Sequence, residues 1–159
     1  MTSNEEDIRR ALLWITDAFA RADVTYQAVG GIAARAFGAT RPVADLDFYL
    51  DRTDLAAVLG DVREFCVWGP SHFRDETWDL TFAKVDWRGV RIELAQAEGA
   101  KYYSAAQRAW IDQGVDFERS TRVNVMGVEL LVMPREQLIA YKQALGRPVD
   151  RADLEQIGQ

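Results

Sequence analysis

The sequence is short of the residues on which several kinds of chemistry depend. It holds one cysteine, Cys66, and one histidine, His72. A single cysteine closes no internal disulfide. A histidine with no second histidine and no Cys-x-x-Cys near it makes a poor zinc site. Cys66, in "REFCVWG", is expected as a buried small hydrophobe. No apolar run approaches the ~20 residues of a membrane span. The polar, acidic start "MTSNEEDIRR" does not read as a secretory signal, so a cytoplasmic location is expected. Positive charge is in deficit, with 19 Lys and Arg against 25 Asp and Glu and a net charge of -6. That balance argues against gripping duplex nucleic acid through the overall field and suits a cationic small molecule or a basic partner. Internal repeats, low-complexity tracts and linkers are also missing.

What is there suits one domain. The 159 residues are 48% hydrophobic and 28% charged, enough for a real core. One domain over 1–159 is expected, with a core over about 1–100 and a C-terminal hairpin and helices over about 101–159. Ile8, Leu12, Ile15 and Phe19 recur at helical spacing, with Ser3 or Asn4 as cap and acids in the first turn. "VTYQAVG" reads as a short strand, "GIAARAFG" as a short helix stopped by Gly38, and "VADLDFYL" as a strand. Thr53 is expected to cap a helix through "DLAAVLGDV", and "FCVW" is a brief extended piece. "TWDLTFAKVDWRGVRIELA" reads as a hairpin turning at Arg88-Gly89, and "TRVNVMGVELLVM" as another turning at Met126-Gly127. "YYSAAQRAWIDQG" is ambiguous and partly helical. "PREQLIAYKQALG" is a helix with Pro134 in its first turn and Gly146 after its end, and "DRADLEQI" is a last short helix. Helices at the ends and hairpins in the middle give an α+β fold, a mixed β-sheet with helices packed on one face.

Three acids stand out. In "ADLDFYL", alternation puts Leu46, Phe48 and Leu50 on one face, and Val43, Asp45, Asp47 and Tyr49 on the other. In "GVRIELAQ", Val90, Ile92 and Leu94 form the apolar face and leave Glu93 on the other. If the two strands are neighbours, Asp45, Asp47 and Glu93 share an open face, where like charges call for a cation among them. Oxygen ligands suit Mg²⁺ or Mn²⁺. Gly30 and Gly31 lack side chains, so their backbone approaches a ligand closely as it leads into a helix N-terminus, a place for an anion. A metal with a phosphate cradle is the apparatus of phosphoryl or nucleotidyl transfer. Each feature alone has a plainer reading: a solvated strand face, a turn, a surface acid. An EF-hand loop fails because Leu50 and Ala56 stand where glycine and glutamate are needed, and no Walker A lysine follows the glycines.

Together these motifs resemble the nucleotidyltransferase superfamily with the DNA polymerase β-like, palm-type fold. They read "VGG", thirteen residues from Ile32 to Ala44, "DLD", and later "IEL". Within it the chain looks most similar to small lincosamide and aminoglycoside adenylyltransferases and to the minimal nucleotidyltransferases of toxin–antitoxin systems. Its tail, "YKQALGRPVDRADLEQI", is also similar to the end of such domains. The resemblance implies an enzyme in which Asp45 and Asp47 hold Mg²⁺ (or Mn²⁺) against the phosphates of an NTP, ATP above the others. It implies that Gly30 and Gly31 lie against those phosphates and that Glu93 completes the triad as metal ligand or general base. Lys142 and Arg41 become candidates for neutralising phosphate, beside their plainer reading as surface cations. The implied reaction transfers AMP to a hydroxyl of a small molecule, an antibiotic among the candidates. The alternatives are a toxin that modifies RNA or protein and a non-catalytic partner-binding domain. Trp68, Trp78, Trp87, Trp110, Tyr102 and Tyr103 are candidates for walling a pocket, though core packing explains them as well. A homodimer would complete the acceptor pocket of so small a chain. Ala44, where antibiotic-modifying members often carry a polar residue, and Glu93 in place of Asp depart from the pattern.

Overall fold

The computed structural model describes residues 1–158. Helix α1 (Ser3–Arg21) leads to β1 (Gln27–Val29), α2 (Gly30–Ala36), β2 (Leu46–Leu50) and α3 (Arg52–Asp61). Then come β3 (Cys66–Arg74), β4 (Trp78–Trp87), β5 (Val90–Gln96), β6 (Lys101–Ser104), β7 (Ala109–Asp112), β8 (Thr121–Val125) and β9 (Val128–Val132). The chain closes with α4 (Arg135–Leu145) and α5 (Pro148–Ile157). All the strands join one mixed sheet in the order β7-β6-β4-β5-β2-β1-β9-β8, with β3 on the far edge of β4. β1 runs antiparallel to β2, whereas β2–β5 and β1–β9 are parallel.

The apolar stripe of α1 buries Ile8, Leu12, Ile15 and Phe19 against one face of this sheet. There Phe19, Tyr26 and Phe48 form an aromatic cluster, the Phe19 and Tyr26 rings 4.5 Å apart. Ring pairs of this kind add ~1 kcal/mol each beyond their burial. Leu55 and Val58 of α3, with Leu46, Leu50, Ile92 and Leu94 of the central strands, complete that layer. Helix α4 lies on the other face, so helices cover both faces of the sheet and not the one expected; there Tyr141 meets Tyr102 edge-on at 4.8 Å and Trp78 at 6.1 Å. No helix among the described residues is long and apolar enough to cross a membrane.

Both expected hairpin turns form, with positive φ at Arg88 and Gly89 and at Met126 and Gly127. That is the backbone of the tight turns matching strand twist. Five local expectations need correction. The segment around "YYSAAQRAWIDQG" is a hairpin, β6–β7, because its aromatic residues pair across strands, Tyr103 opposite Trp110. The extended piece at "FCVW" is longer than expected, since Cys66 opens a nine-residue strand. Asp51, not Thr53, caps α3 by accepting from the Asp54 amide, and Thr2 caps α1. Cys66 is half-buried beside the carbonyls of Trp68 and Gly69, not in the core.

Candidate functional site

The strand register sets the acids in one row. Val29 stands beside Asp47, Asp47 beside Glu93, Glu93 beside Lys84, and Lys84 beside Trp68, one residue from each of β1, β2, β5, β4 and β3. Paired residues point to the same face, and neighbouring strands are ~4.8 Å apart. Leu46, Phe48, Ile92 and Leu94 point the opposite way into the core. Asp45 sits just ahead of β2 and joins the same cavity. Tyr49, next on the site face, is buried with its hydroxyl 3.3 Å from Gln113 Oε1.

Asp47 lies at the floor of this concavity, partly open to it and enclosed elsewhere by protein. Burial, then the charges of Asp45 and Glu93 and a hydrogen bond with Glu93, push its carboxyl well above the usual range; Arg147 pulls the other way. Gly30 touches it from the side. Its φ is +67°, and a Cβ there would stand 2.5 Å from Asp47 Oδ2. A Cβ on Gly31 would stand 3.3 Å from the Arg41 guanidinium. Gly30 is thus required by its positive φ and its close approach to Asp47, and Gly31 leaves room for the Arg41 guanidinium.

The opposite wall is basic and comes from the chain's end. Gly146, at φ +61°, stops α4, and Pro148 starts α5 one residue past the cap Arg147. This tight corner aims Asp150 and Asp153 of α5 back at α4. Lys142 Nζ lies 3.0 Å from Asp153 Oδ2 and 3.4 Å from Asp150 Oδ1. Arg41 forks onto Asp153 at 2.7 and 2.9 Å, and Arg147 onto Asp150 at 2.7 and 3.1 Å. Both aspartates are fully buried, and Lys142 is only 1% exposed. Burial would raise the Asp153 carboxyl, but hydrogen bonds from Arg41 and Lys142 outweigh it and hold the group below its usual range. Lys142 is therefore not a solvated helix lysine, and Arg41 is not a loose surface residue. Three cations share two carboxylates and keep an excess positive charge facing the cavity.

That cavity has a volume of about 490 Å³, within the size range of small-molecule sites. The glycine pair and the three acids form one side, and Arg41, Lys142 and Arg147 another. Phe73, Trp78, Leu80 and Phe82 of β3 and β4 form an apolar third. Of the six aromatic residues singled out from the sequence, only Trp78 lines it, beneath the Arg147 guanidinium at 5.4 Å. Trp87 stacks on Trp14, Trp110 meets Tyr103, Tyr102 meets Tyr141, and Trp68 tilts against Phe82.

The acids fit a hard divalent cation by their chemistry. All three donors are carboxylates, and the hydrogen bond between Asp47 and Glu93 is one a cation would replace. Among the described residues, no three potential ligands already converge into a finished cage. Sequence reasoning missed Arg147, Asp150, Asp153 and Lys84. The first three stand in the "RPVDRAD" string that carries part of the resemblance, so the string was visible while its pairing was not. Lys84 has no sequence signal beyond its place in an alternating strand.

By sequence, no family model and no curated protein matches the chain. By structure, it superposes on a Thermotoga maritima protein provisionally assigned as a nucleotidyltransferase, at a TM-score of 0.74 and 20% identity over 94% of this chain and 91% of that one. It also superposes on the lincosamide antibiotic adenylyltransferase LnuA with lincomycin bound, at a TM-score of 0.61 and 13% identity over 98% and 95% of the two chains. The fold is that of the nucleotidyltransferases. A third such neighbour, ANT(2″)-Ia in complex with adenylyl-2″-tobramycin, has a TM-score of 0.55 and 13% identity over 97% and 89%. In all three the match spans nearly the whole of both chains.

Proposed function

We propose that the protein transfers a nucleoside monophosphate, AMP above the others, from an NTP to a hydroxyl of a small molecule. One observation carries the reading: a single cavity has three carboxylates on one wall and a clamped set of three cations on another. A nucleoside triphosphate with a divalent cation needs both.

Asp45, Asp47 and Glu93 would hold Mg²⁺, which when bound would neutralise the acids and polarise the phosphate oxygens. Gly30 and Gly31 let the triphosphate lie close to the backbone. Arg41, Lys142 and Arg147 offset the charge of the leaving pyrophosphate, and Asp150 and Asp153 fix them in place beforehand. Glu93 accepts the proton of the acceptor hydroxyl as that oxygen bonds to the α-phosphorus. The bond from the α-phosphorus to the bridging oxygen breaks, and pyrophosphate leaves. The structural neighbours LnuA, with lincomycin bound, and ANT(2″)-Ia, in complex with adenylyl-2″-tobramycin, support a small-molecule acceptor.

The test is a binding titration of ATP with Mg²⁺, followed by incubation with labelled NTPs and a panel of hydroxyl-bearing antibiotics. Binding that needs Mg²⁺, and one compound gaining a nucleoside monophosphate, are expected. No NTP binding at any Mg²⁺ concentration sinks the enzyme reading. Label on tRNA or protein with none on small molecules sinks the small-molecule acceptor and favours a toxin.

A further inference from the structure

The order of the strands separates the two substrates. Gly30 and Gly31 follow β1 and Asp47 lies on β2, so the phosphates belong to that side of the row. Glu93 on β5 comes next, and beyond it lie β4 and β3. An acceptor hydroxyl delivered to Glu93 therefore has its body on the β3–β4 wall of Phe73, Leu80 and Phe82.

Lys84 stands in that wall, directly beside Glu93 in the register. Among the described residues it is the one cation lining the cavity that makes no ion pair; Arg41, Lys142 and Arg147 are each tied to an aspartate. Glu93, its register neighbour, makes no ion pair with it and shares a hydrogen bond with Asp47. Lys84 leans instead over the rings of Trp68 and Phe82, its Nζ 5.5 and 5.8 Å from their centroids. The rings hold the ammonium by attraction to their faces and leave its proton donors unused. The other carboxylate lining this region, Asp75, has Oδ1 occupied by the amides of Thr77 and Trp78 at 2.8 and 2.7 Å. The wall is thus apolar and aromatic, with one ammonium that makes no ion pair, Lys84, and one carboxylate, Asp75, whose Oδ1 is already held by two backbone amides.

Resting on the nucleotidyl-transfer reading above, we propose that Lys84 selects the acceptor. The acceptor class is a hydroxyl compound with an apolar or aromatic body and a single anionic group, and polycationic acceptors are disfavoured. This reverses the expectation from net charge, under which a cationic acceptor fits best.

Three phenols matched in size test it: para-hydroxyphenylacetate, neutral tyrosol and cationic tyramine. Each is titrated calorimetrically into the whole protein with Mg²⁺ and a non-hydrolysable ATP analogue. The carboxylate is expected to bind tightest and tyramine weakest, with roughly a tenfold span between them. Lys84→Met keeps the apolar stem and should erase the order, Lys84→Arg should keep it, and both should bind the ATP analogue as the wild type does. The proposal is overturned if tyramine binds as well as the carboxylate or none of the phenols binds. It is equally overturned if the order survives in Lys84→Met, or if that variant loses nucleotide affinity. The wild-type order needs no variant, so a misfolded Lys84→Met leaves the test intact. Failure of the wild type to bind the ATP analogue defeats the nucleotidyl-transfer reading separately, because the phenol order is then read without it.

Discussion

The two charged walls of the cavity treat their carboxylates in opposite ways. Asp47 is crowded by Asp45 and Glu93, and its carboxyl is pushed well up. Asp153, on a helix facing the same cavity, is fully buried where Asp47 is partly open, yet it is forked by Arg41 and contacted by Lys142, and its carboxyl is pulled down. The first arrangement costs stability at neutral pH and makes sense only if a ligand relieves it. The second is satisfied as it stands, and its task is to hold cations in position. Burial by itself does not mark a working carboxylate. What surrounds it does.

The comparison breaks most strongly at Asp47. Asp47→Asn should lower transfer by roughly 10³-fold, since several kcal/mol of metal-borne stabilisation are removed. In metal-free buffer the same variant should be more stable to urea than the wild type, because a repelled buried charge is gone. A drop in both activity and stability would show that Asp47 is structural.

Asp153→Ala should do the reverse. It leaves Lys142 buried with a weakened partner set and should cost about 3 kcal/mol in urea unfolding, whereas loss of activity without loss of stability would contradict the clamp.

Acid and base titration separates the walls further. The raised Asp47 carboxyl binds its proton more tightly in the folded state. Metal-free stability should therefore fall as pH rises from the ordinary carboxyl range to the raised value. The lowered Asp153 carboxyl stabilises above the ordinary range, and its contribution is lost as pH falls through the depressed value. Thermal melts across pH should show the first slope vanish in Asp47→Asn and the second in Asp153→Asn.

Gly30→Ala is a milder break. A side chain at φ +67° facing Asp47 Oδ2 at 2.5 Å should cost about 1–2 kcal/mol, and it should weaken Mg²⁺-dependent nucleotide binding by displacing that carboxylate. The smallest effect is expected at Arg122, whose 2.6 Å pair with Glu129 is 70% and 57% exposed at the two side chains. Arg122→Ala should change stability by about 0.5 kcal/mol or less. A larger change there would mean that geometry, not burial, sets the worth of these pairs.

Much of the acid wall was legible in the sequence. Asp47 and Glu93 alternate with Leu46, Phe48, Ile92 and Leu94, and a period of two needs no partner strand to be read. The turns at Arg88-Gly89 and Met126-Gly127 were legible for the same local reason. Strand β3 was not: all but the first of its residues are exposed, so "VWGPSHFR" has no buried face to betray it, and only pairing with β4 makes it a strand. The β6–β7 hairpin hid because "SAAQRA" has good helix formers at its turn.

The basic wall was not legible as a wall. Lys142 and Arg41 could be named from the chain, but their partners Asp150 and Asp153 could not, since Arg41 meets Asp153 across 112 positions of sequence. A long-range ion pair leaves no periodic trace, because each residue alone looks like a solvated charge. Lys84 shows the same limit. The sequence by itself determined the alternation that turns the acids away from the core, along with the glycines and turns that let the strands bend. Tertiary structure alone decided which charges meet, and so which carboxylate is strained, which is clamped, and which lysine is left unpaired. Local pattern follows from the backbone's own period, whereas charge pairing depends on distances that exist only once the sheet and its helices have closed.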